Sequence, residues 1–279
     1  MAYKSITTVV TDFGADKGAL VAAEDLARAH EGHLDIICLG LDRTQPGFYY
    51  AGTNAMIVQS NLEQAKADAQ EIESAVTDYL RASDVTWATE PMATQMVGLT
   101  PFLAHQTRFS DLVVLPRPYG EGRSNEHEEI LESTLFNAHA PVVVVPDDAK
   151  LPPSPKRIVI GWNESSEALR AVRAAMPLLK AADLVDIVII DPPTHGPDRS
   201  DPGGALSQKL ARHGVNCEVS VLAKTMPRTS DTLMRHVADK NADIVVMGAY
   251  GHSRFRESIL GGATRDMLTA APVPVLMTH

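Results

Sequence analysis

The sequence predicts an α/β fold made of two similar doubly wound domains, each on a five-stranded parallel sheet. Three observations carry this. First, the chain repeats itself: KSITTVVTD at Lys4–Asp12 matches KRIVIGWN at Lys156–Asn163, and SDLVVLP at Ser110–Pro116 matches ADIVVMG at Ala242–Gly248. Second, the strand-like runs are uninterrupted apolar stretches such as VVVV and IVVM, which suit parallel strands covered on both faces. Third, these runs alternate with helical stretches, and such alternation with right-handed crossovers winds a sheet in both directions.

The elements follow in order. The first strands are Lys4–Asp12 and Lys156–Asn163, followed by Ala-rich helices at Gly18–His30 and Ser165–Lys180. The second strands are Asp35–Asp42 and Asp186–Asp191. Helices at Leu62–Ala82 and Gly204–His213 lead to third strands at Val85–Met92 and Cys217–Lys224. Helices at Leu99–Arg108 and Thr229–Lys240 lead to the fourth strands. APVVVVP at Ala140–Pro146 and APVPVLM at Ala271–Met277 form the fifth, and these short apolar edges are expected to meet each other. From the first run to the fourth the step is 106 residues in one half and 86 in the other. The first half therefore carries an insertion of roughly 20 residues, expected within Arg43–Asn61. The joint is the proline-rich Asp147–Pro155, which sets the domains at 1–148 and 154–279.

Composition narrows the function. The chain has 279 residues, 44% hydrophobic and 22% charged, with a net charge of −10. That charge argues against a nucleic-acid binder or a polybasic membrane protein. No apolar run reaches the ~18 residues of a membrane span. The N-terminal stretch lacks the marks of a secretory signal. Cys38 and Cys217 lie far apart and read as buried free thiols. A cytoplasmic protein without nucleic-acid or membrane partners is expected.

The chemistry concentrates in the second half. Gly248 and Gly251, then Gly261 and Gly262 nine residues on, bracket a loop that also holds His252, Arg254 and Arg256. Gly248 and Gly251 are read as backbone turns with φ > 0 that approach a ligand closely. Gly261 and Gly262 precede a helix at Ala263–Ala270, whose free amides and dipole favour a phosphate. Thr264 adds a hydroxyl and Arg265 a charge. The alternative is that the glycines serve turns and Gly262 merely caps a helix.

With this spacing the second half resembles the universal stress protein family, whose nucleotide motif is G-x-x-G, nine residues, G-[S/T]; the likeness extends to the whole chain as a tandem pair. The resemblance implies the adenine nucleotide alpha-hydrolase-like fold with sheet order 3-2-1-4-5, and ATP or AMP as ligand in many members, with Mg as an accompanying ion. It assigns Gly161, Trp162 and Asn163 to the end of the first strand near adenine, and Ile190 to packing on the base. Met247, Gly248 and Gly251 fall on the nucleoside side, and Gly261, Gly262, Ala263 and Thr264 on the phosphate side, with His252 and Arg254 nearby. Two departures stand out: Gly262 replaces a serine or threonine, and Asn163 replaces an acid. Trp162 is read as a packed core residue, with stacking on adenine as the alternative.

The first half departs further. Pro116 stands where Gly248 stands, Glu132 is placed near the phosphate loop, and carboxylates there would repel phosphate. This half is read as structural, serving dimerisation or regulation, with a site for some other small molecule as the alternative, although Asp12 keeps the acidic position. Residues 1–148 hold 9 Lys+Arg against 22 Asp+Glu, a balance of −13, whereas the remainder is +3. Both the glycines and the charge place one nucleotide in the second half.

Other constellations are set aside. There is no P-loop and no G-x-S-x-G elbow. His30 and His33 are read as solvated surface, and Glu126–Glu129 as a solvated charge run. No catalytic residue is assigned. The expected function is a stress-response protein that binds an adenine nucleotide as ligand or signal and forms a homodimer. A nucleotide-free interaction scaffold and a slow ATP-hydrolysing enzyme are the alternatives.

Overall fold

A computed structural model describes residues 2–43, 55–120, 122–192, 201–249 and 262–279. By internal contacts it forms two compact units, Ala2–Ala140 and Pro141–His279.

The first unit runs β1 (Ser5–Val10), α1 (Phe13–His30), β2 (His33–Asp42), α2 (Ala55–Leu80), β3 (Thr86–Gln95), α3 (Leu99–Thr107), β4 (Leu112–Pro116) and α4 (Asn125–Glu132). Its strands are parallel and lie in the order β3-β2-β1-β4. The central β1 and β4 are buried on both faces, as their apolar runs require. The edge strand β3 alternates between exposed and half-buried residues over residues 86–90 and tolerates Pro91, because an edge strand has a free side where no N–H is needed. Asp12 caps α1 by accepting the Ala15 amide at 2.8 Å, and Glu31 ends it in the left-handed region at φ 49°.

In the second unit, β5 (Val142–Val145) precedes β6 (Arg157–Gly161), α5 (Ser166–Ala174), α6 (Met176–Ala181), β7 (Leu184–Ile190) and α7 (Gly204–Arg212). Then come β8 (Cys217–Leu222), α8 (Thr229–Asp239), β9 (Ile244–Gly248), α9 (Ala263–Ala270) and β10 (Val275–Thr278). The strand order is β5-β10-β9-β6-β7-β8. Five of these reproduce 3-2-1-4-5 strand for strand, all parallel. The sixth, β5, joins antiparallel to β10, with Val142 opposite Met277 and Val144 opposite Val275. The fifth strands thus meet as expected, and the contacts group β5 with the second unit.

Several expectations are corrected. The extra length of the first half lies in α2, which has 26 residues against 9 in α7, and not chiefly in the connection before it. The single helix expected over Ser165–Lys180 breaks at Ala175, because Pro177 has no N–H for the Arg173 carbonyl. His30 is not a solvated residue: its ring meets Tyr3 edge-on at 4.9 Å, and burial pulls its pKa down. No described helix is long and apolar enough to cross a membrane.

Candidate functional site

Parallel strands end on one side of the sheet, and in a doubly wound fold the crevice opens where the strand order reverses. In the second unit that place lies between β6 and β9. Gly161 closes β6, and Met247 and Gly248 close β9, with Gly161 opposite Met247 in the register. Trp162 follows Gly161 and fixes its backbone by donating to the Val188 carbonyl at 2.9 Å. Asn163 folds its Oδ1 onto the Ser165 amide at 3.2 Å, and Ser165 caps α5 through the Ala168 amide at 3.1 Å.

These ends enclose a cleft of about 130 Å³. Of the residues expected at the site, Gly161, Trp162, Asn163, Ile190, Met247, Gly248 and Ala263 line it together. Gly262 is the N-cap of α9 and Thr264 is buried in its first turn, so both flank Ala263 without lining the cleft. Gly251, His252, Arg254 and Gly261 lie outside the described residues. Trp162 is half-buried on the wall and is not a core residue.

The role of Gly248 needs correcting. Its φ is not positive. It is the last residue of β9, and a Cβ there would stand 2.6 Å from the Ala168 nitrogen and 2.9 Å from the Glu167 carbonyl carbon. Glycine at 248 lets the start of α5 lie directly on the strand end.

Sequence reasoning missed Val188, Thr229, Ser230, Leu233 and Met267, which complete the walls. A signal for three of them existed: a helix leading into the fourth strand must begin at the carboxyl side of the sheet, so the start of α8 reaches the crevice. Ser230 donates to Asp266 Oδ2 at 2.7 Å, and Arg228 donates to Oδ1 of the same carboxylate at 2.9 Å. These bonds tie α8 to α9 at the cleft's edge. Gly262 supplies no side-chain cap, so nothing from the N-cap residue covers the first turn of α9. The cleft thus combines apolar walls, suited to a flat ring, with a helix start, suited to an anion. No group of three or more His, Cys, Asp or Glu able to hold a metal occurs among the described residues.

The equivalent place in the first unit is also open. A crevice of about 720 Å³ lies beyond the ends of β1 and β2 and beside the start of α4. The residue at that helix start is Glu126, not the expected Glu132, which sits at the far end of α4. Nor does Glu126 belong to a solvated run. Its side chain is 5% exposed, and Arg43 donates Nε to Oε2 at 2.9 Å and a second nitrogen to Oε1 at 2.6 Å. Burial opposes the charge of Glu126, but the Arg43 bonds and charge hold its carboxyl below the usual range.

Fold and cleft define a doubly wound α/β protein with a crevice at the strand ends of its second unit. Residues 155–279 match the universal stress protein family. Over 121 residues the chain is 30% identical to universal stress protein Slr1230 of Synechocystis sp., a match that takes in 43% of this chain and 41% of that protein. The chain therefore matches about two fifths of that relative's length. Among solved structures, a universal stress protein from Archaeoglobus fulgidus DSM 4304 superposes with a TM-score of 0.73 at 13% identity, over 99% of this chain and 96% of that one. A functionally unknown protein, PA1789 of Pseudomonas aeruginosa PAO1, gives 0.60 at 14% identity, over 99% and 92%. At such identities the likeness is one of fold. Residues 155–279 thus carry a domain that matches the universal stress protein family.

Proposed function

We propose that the protein binds one adenine nucleotide, AMP or ATP with or without Mg, in the cleft of the second unit, as a ligand and not as a substrate. The observation that carries this is the convergence of the ends of β6 and β9, the apolar side chains Val188, Ile190, Leu233 and Met267, and the start of α9 on one cleft. A base packs on the apolar walls, with Trp162 at their edge. The phosphate lies toward the helix start, where peptide dipoles favour negative charge. The +3 balance of residues 149–279 suits a phosphate, although salt limits the reach of bulk charge to ~8–10 Å.

The test is calorimetric titration of the full chain with AMP and with Mg-ATP, which we expect to give about one site per chain. Gly262→Asp separates fold from binding. An aspartate at the N-cap supports α9 yet sets a carboxylate where the phosphate is expected. It should preserve or raise stability and weaken binding by roughly tenfold or more. In a Trp87→Phe background, Trp162 is the single tryptophan, and its fluorescence should change on AMP binding. Unaltered affinity in Gly262→Asp, or two sites per chain, overturns the reading.

A further inference from the structure

We propose that β8, the free edge of the second unit, pairs with β8 of a second copy of this chain, antiparallel and with the two-fold axis at Val221. No β8 residue lines the cleft between β6 and β9, so this does not depend on nucleotide binding.

The backbone of β8 leaves one side open. Val185 donates its amide to the Asn216 carbonyl and Asp191 to the Leu222 carbonyl, both at 2.9 Å, with Val185 opposite Cys217 in a parallel register. Even-numbered residues of β8 therefore bond to β7, and the amides and carbonyls of Cys217, Val219, Val221 and Ala223 turn outward. Among the described residues no strand pairs with that side.

The edge strand of the first unit is guarded, and β8 is not. His33 donates to the Lys4 carbonyl, so odd residues of β2 serve β1 and even ones serve β3. Cys38 stands opposite Pro91, which turns Pro91 to the free side of β3, where it offers no N–H. A proline on the rim blocks the approach of another strand. On β8 every outward residue keeps its N–H. Beside these groups Val219 and Val221, on one face of the strand, are 39% and 54% exposed. An unguarded edge with two exposed apolar side chains is a template for strand addition.

The charges along this edge select a second copy as the partner and fix the register. An antiparallel ladder closes only where outward residues face outward residues. In EVSVLAK, Glu218–Lys224, an axis at Val221 meets that rule: Val221 faces its own copy, Val219 faces Ala223, and Glu218 faces Lys224. The valines then cover one another on one face of the sheet, and two pairs of opposite charge form on the other. Lys224 is exposed and has no ion-pair partner among the described residues, while Glu218 gives Oε1 to Lys240 at 2.8 Å and keeps Oε2 for another donor. An axis at Ser220 would set Glu218 against Leu222, and one at Glu218 would bring two carboxylates together. Only the axis at Val221 joins unlike charges.

Sedimentation equilibrium of the full chain should show a reversible dimer. Val221→Lys brings two charges together on the axis and should weaken it by roughly tenfold or more. Lys224→Glu turns both ion pairs into repulsions and should weaken it by roughly fivefold at low salt, and by less at high salt. Both positions are exposed, and circular dichroism should read the native fold in each variant. Cross-linking tests the register. In a Cys217→Ser background, Val221→Cys sets two thiols on a hydrogen-bonded pair with Cα atoms ~5.5 Å apart, within disulfide reach, whereas Ala223→Cys leaves them four residues out of step. Mild oxidation should give covalent dimer from Val221→Cys and little from Ala223→Cys. A chain that stays a single copy at every concentration, a dimer indifferent to Val221→Lys or Lys224→Glu, or equal cross-linking at 221 and 223 overturns the proposal.

Discussion

Asp111 and Asp243 perform the same task in the two units. Asp111 Oδ2 accepts the Lys4 and Ser5 amides at 2.7 and 3.1 Å, while Asp243 Oδ2 accepts those of Lys156 and Arg157 at 2.7 and 2.9 Å. Each aspartate also donates its own amide to the first strand, Asp111 to the Ser5 carbonyl and Asp243 to the Arg157 carbonyl, both at 2.8 Å. One carboxylate per unit thus fixes where the first strand begins beside the fourth. Replacing either aspartate by alanine should cost about 1–2 kcal/mol, because two amides lose a charged acceptor at a partly wet site. Urea denaturation of each variant checks this.

Acid should weaken the first unit through Asp16. Arg123 donates to Asp16 Oδ1 at 2.7 Å, and the two side chains are 3% and 1% exposed. Burial opposes the Asp16 charge, but the hydrogen bond to His127, the Thr11 and Asp12 amides and the His127 charge together hold its carboxyl below the usual range. A carboxyl whose folded pKa is depressed stabilises the fold above its unfolded value, near ~3.9, and loses that contribution as pH falls through the folded one. Urea midpoints should therefore drop below about pH 4 in the native chain and change less in Asp16→Asn. At neutral pH that variant should be about 3–5 kcal/mol less stable, because the buried Arg123 charge loses the carboxylate that balances it.

Two glycines of the first unit should respond oppositely to alanine. A Cβ on Gly40 would stand 1.8 Å from the Ala65 carbonyl oxygen, so the backbone of α2 lies directly on β2 there. Gly40→Ala must push the helix away and should cost about 1–3 kcal/mol or more. At Gly18, inside α1, a Cβ meets nothing within 4 Å. Gly18→Ala should stabilise by about 0.5–1 kcal/mol through helix propensity alone. Thermal denaturation of the two single variants reads both signs.

Thiol labelling should tell the two cysteines apart. Cys38 is fully buried, and burial, with the Glu73 charge, pushes its thiol up to about 12. Cys217 is half-buried, and burial raises its thiol as well. In iodoacetamide at about pH 8, mass spectrometry should find Cys217 modified slowly and Cys38 untouched until the chain unfolds.

Much of this architecture is legible in the sequence, because it is written in local runs. VVVV at Val142–Val145 and IVVM at Ile244–Met247 can only be buried strands, and Ala263–Ala270 is a helix from end to end. Five crevice residues of the second unit follow from the strand ends alone. Less legible is whatever depends on a distant partner. Glu126 reads as one member of an acidic run until Arg43, 83 residues away, closes on it. Gly248 reads as a turn until α5 is seen lying against it. The length of α2 could not be told from that of the connection before it, because a polar helix face and a polar loop share a composition.

The pairing of β5 with β10 bears on how this chain can be cut. The family match begins at residue 155, but the unit defined by contacts begins at Pro141. A fragment trimmed to the match would leave behind the strand that covers Val275, Leu276 and Met277, all at most 2% exposed in the intact chain. Its β10 would present an open apolar edge, the usual template for pairing with another copy. Such a fragment invites self-association through an edge that β5 covers in the whole chain, and any association beyond that of the intact chain would then describe the scissors and not the protein.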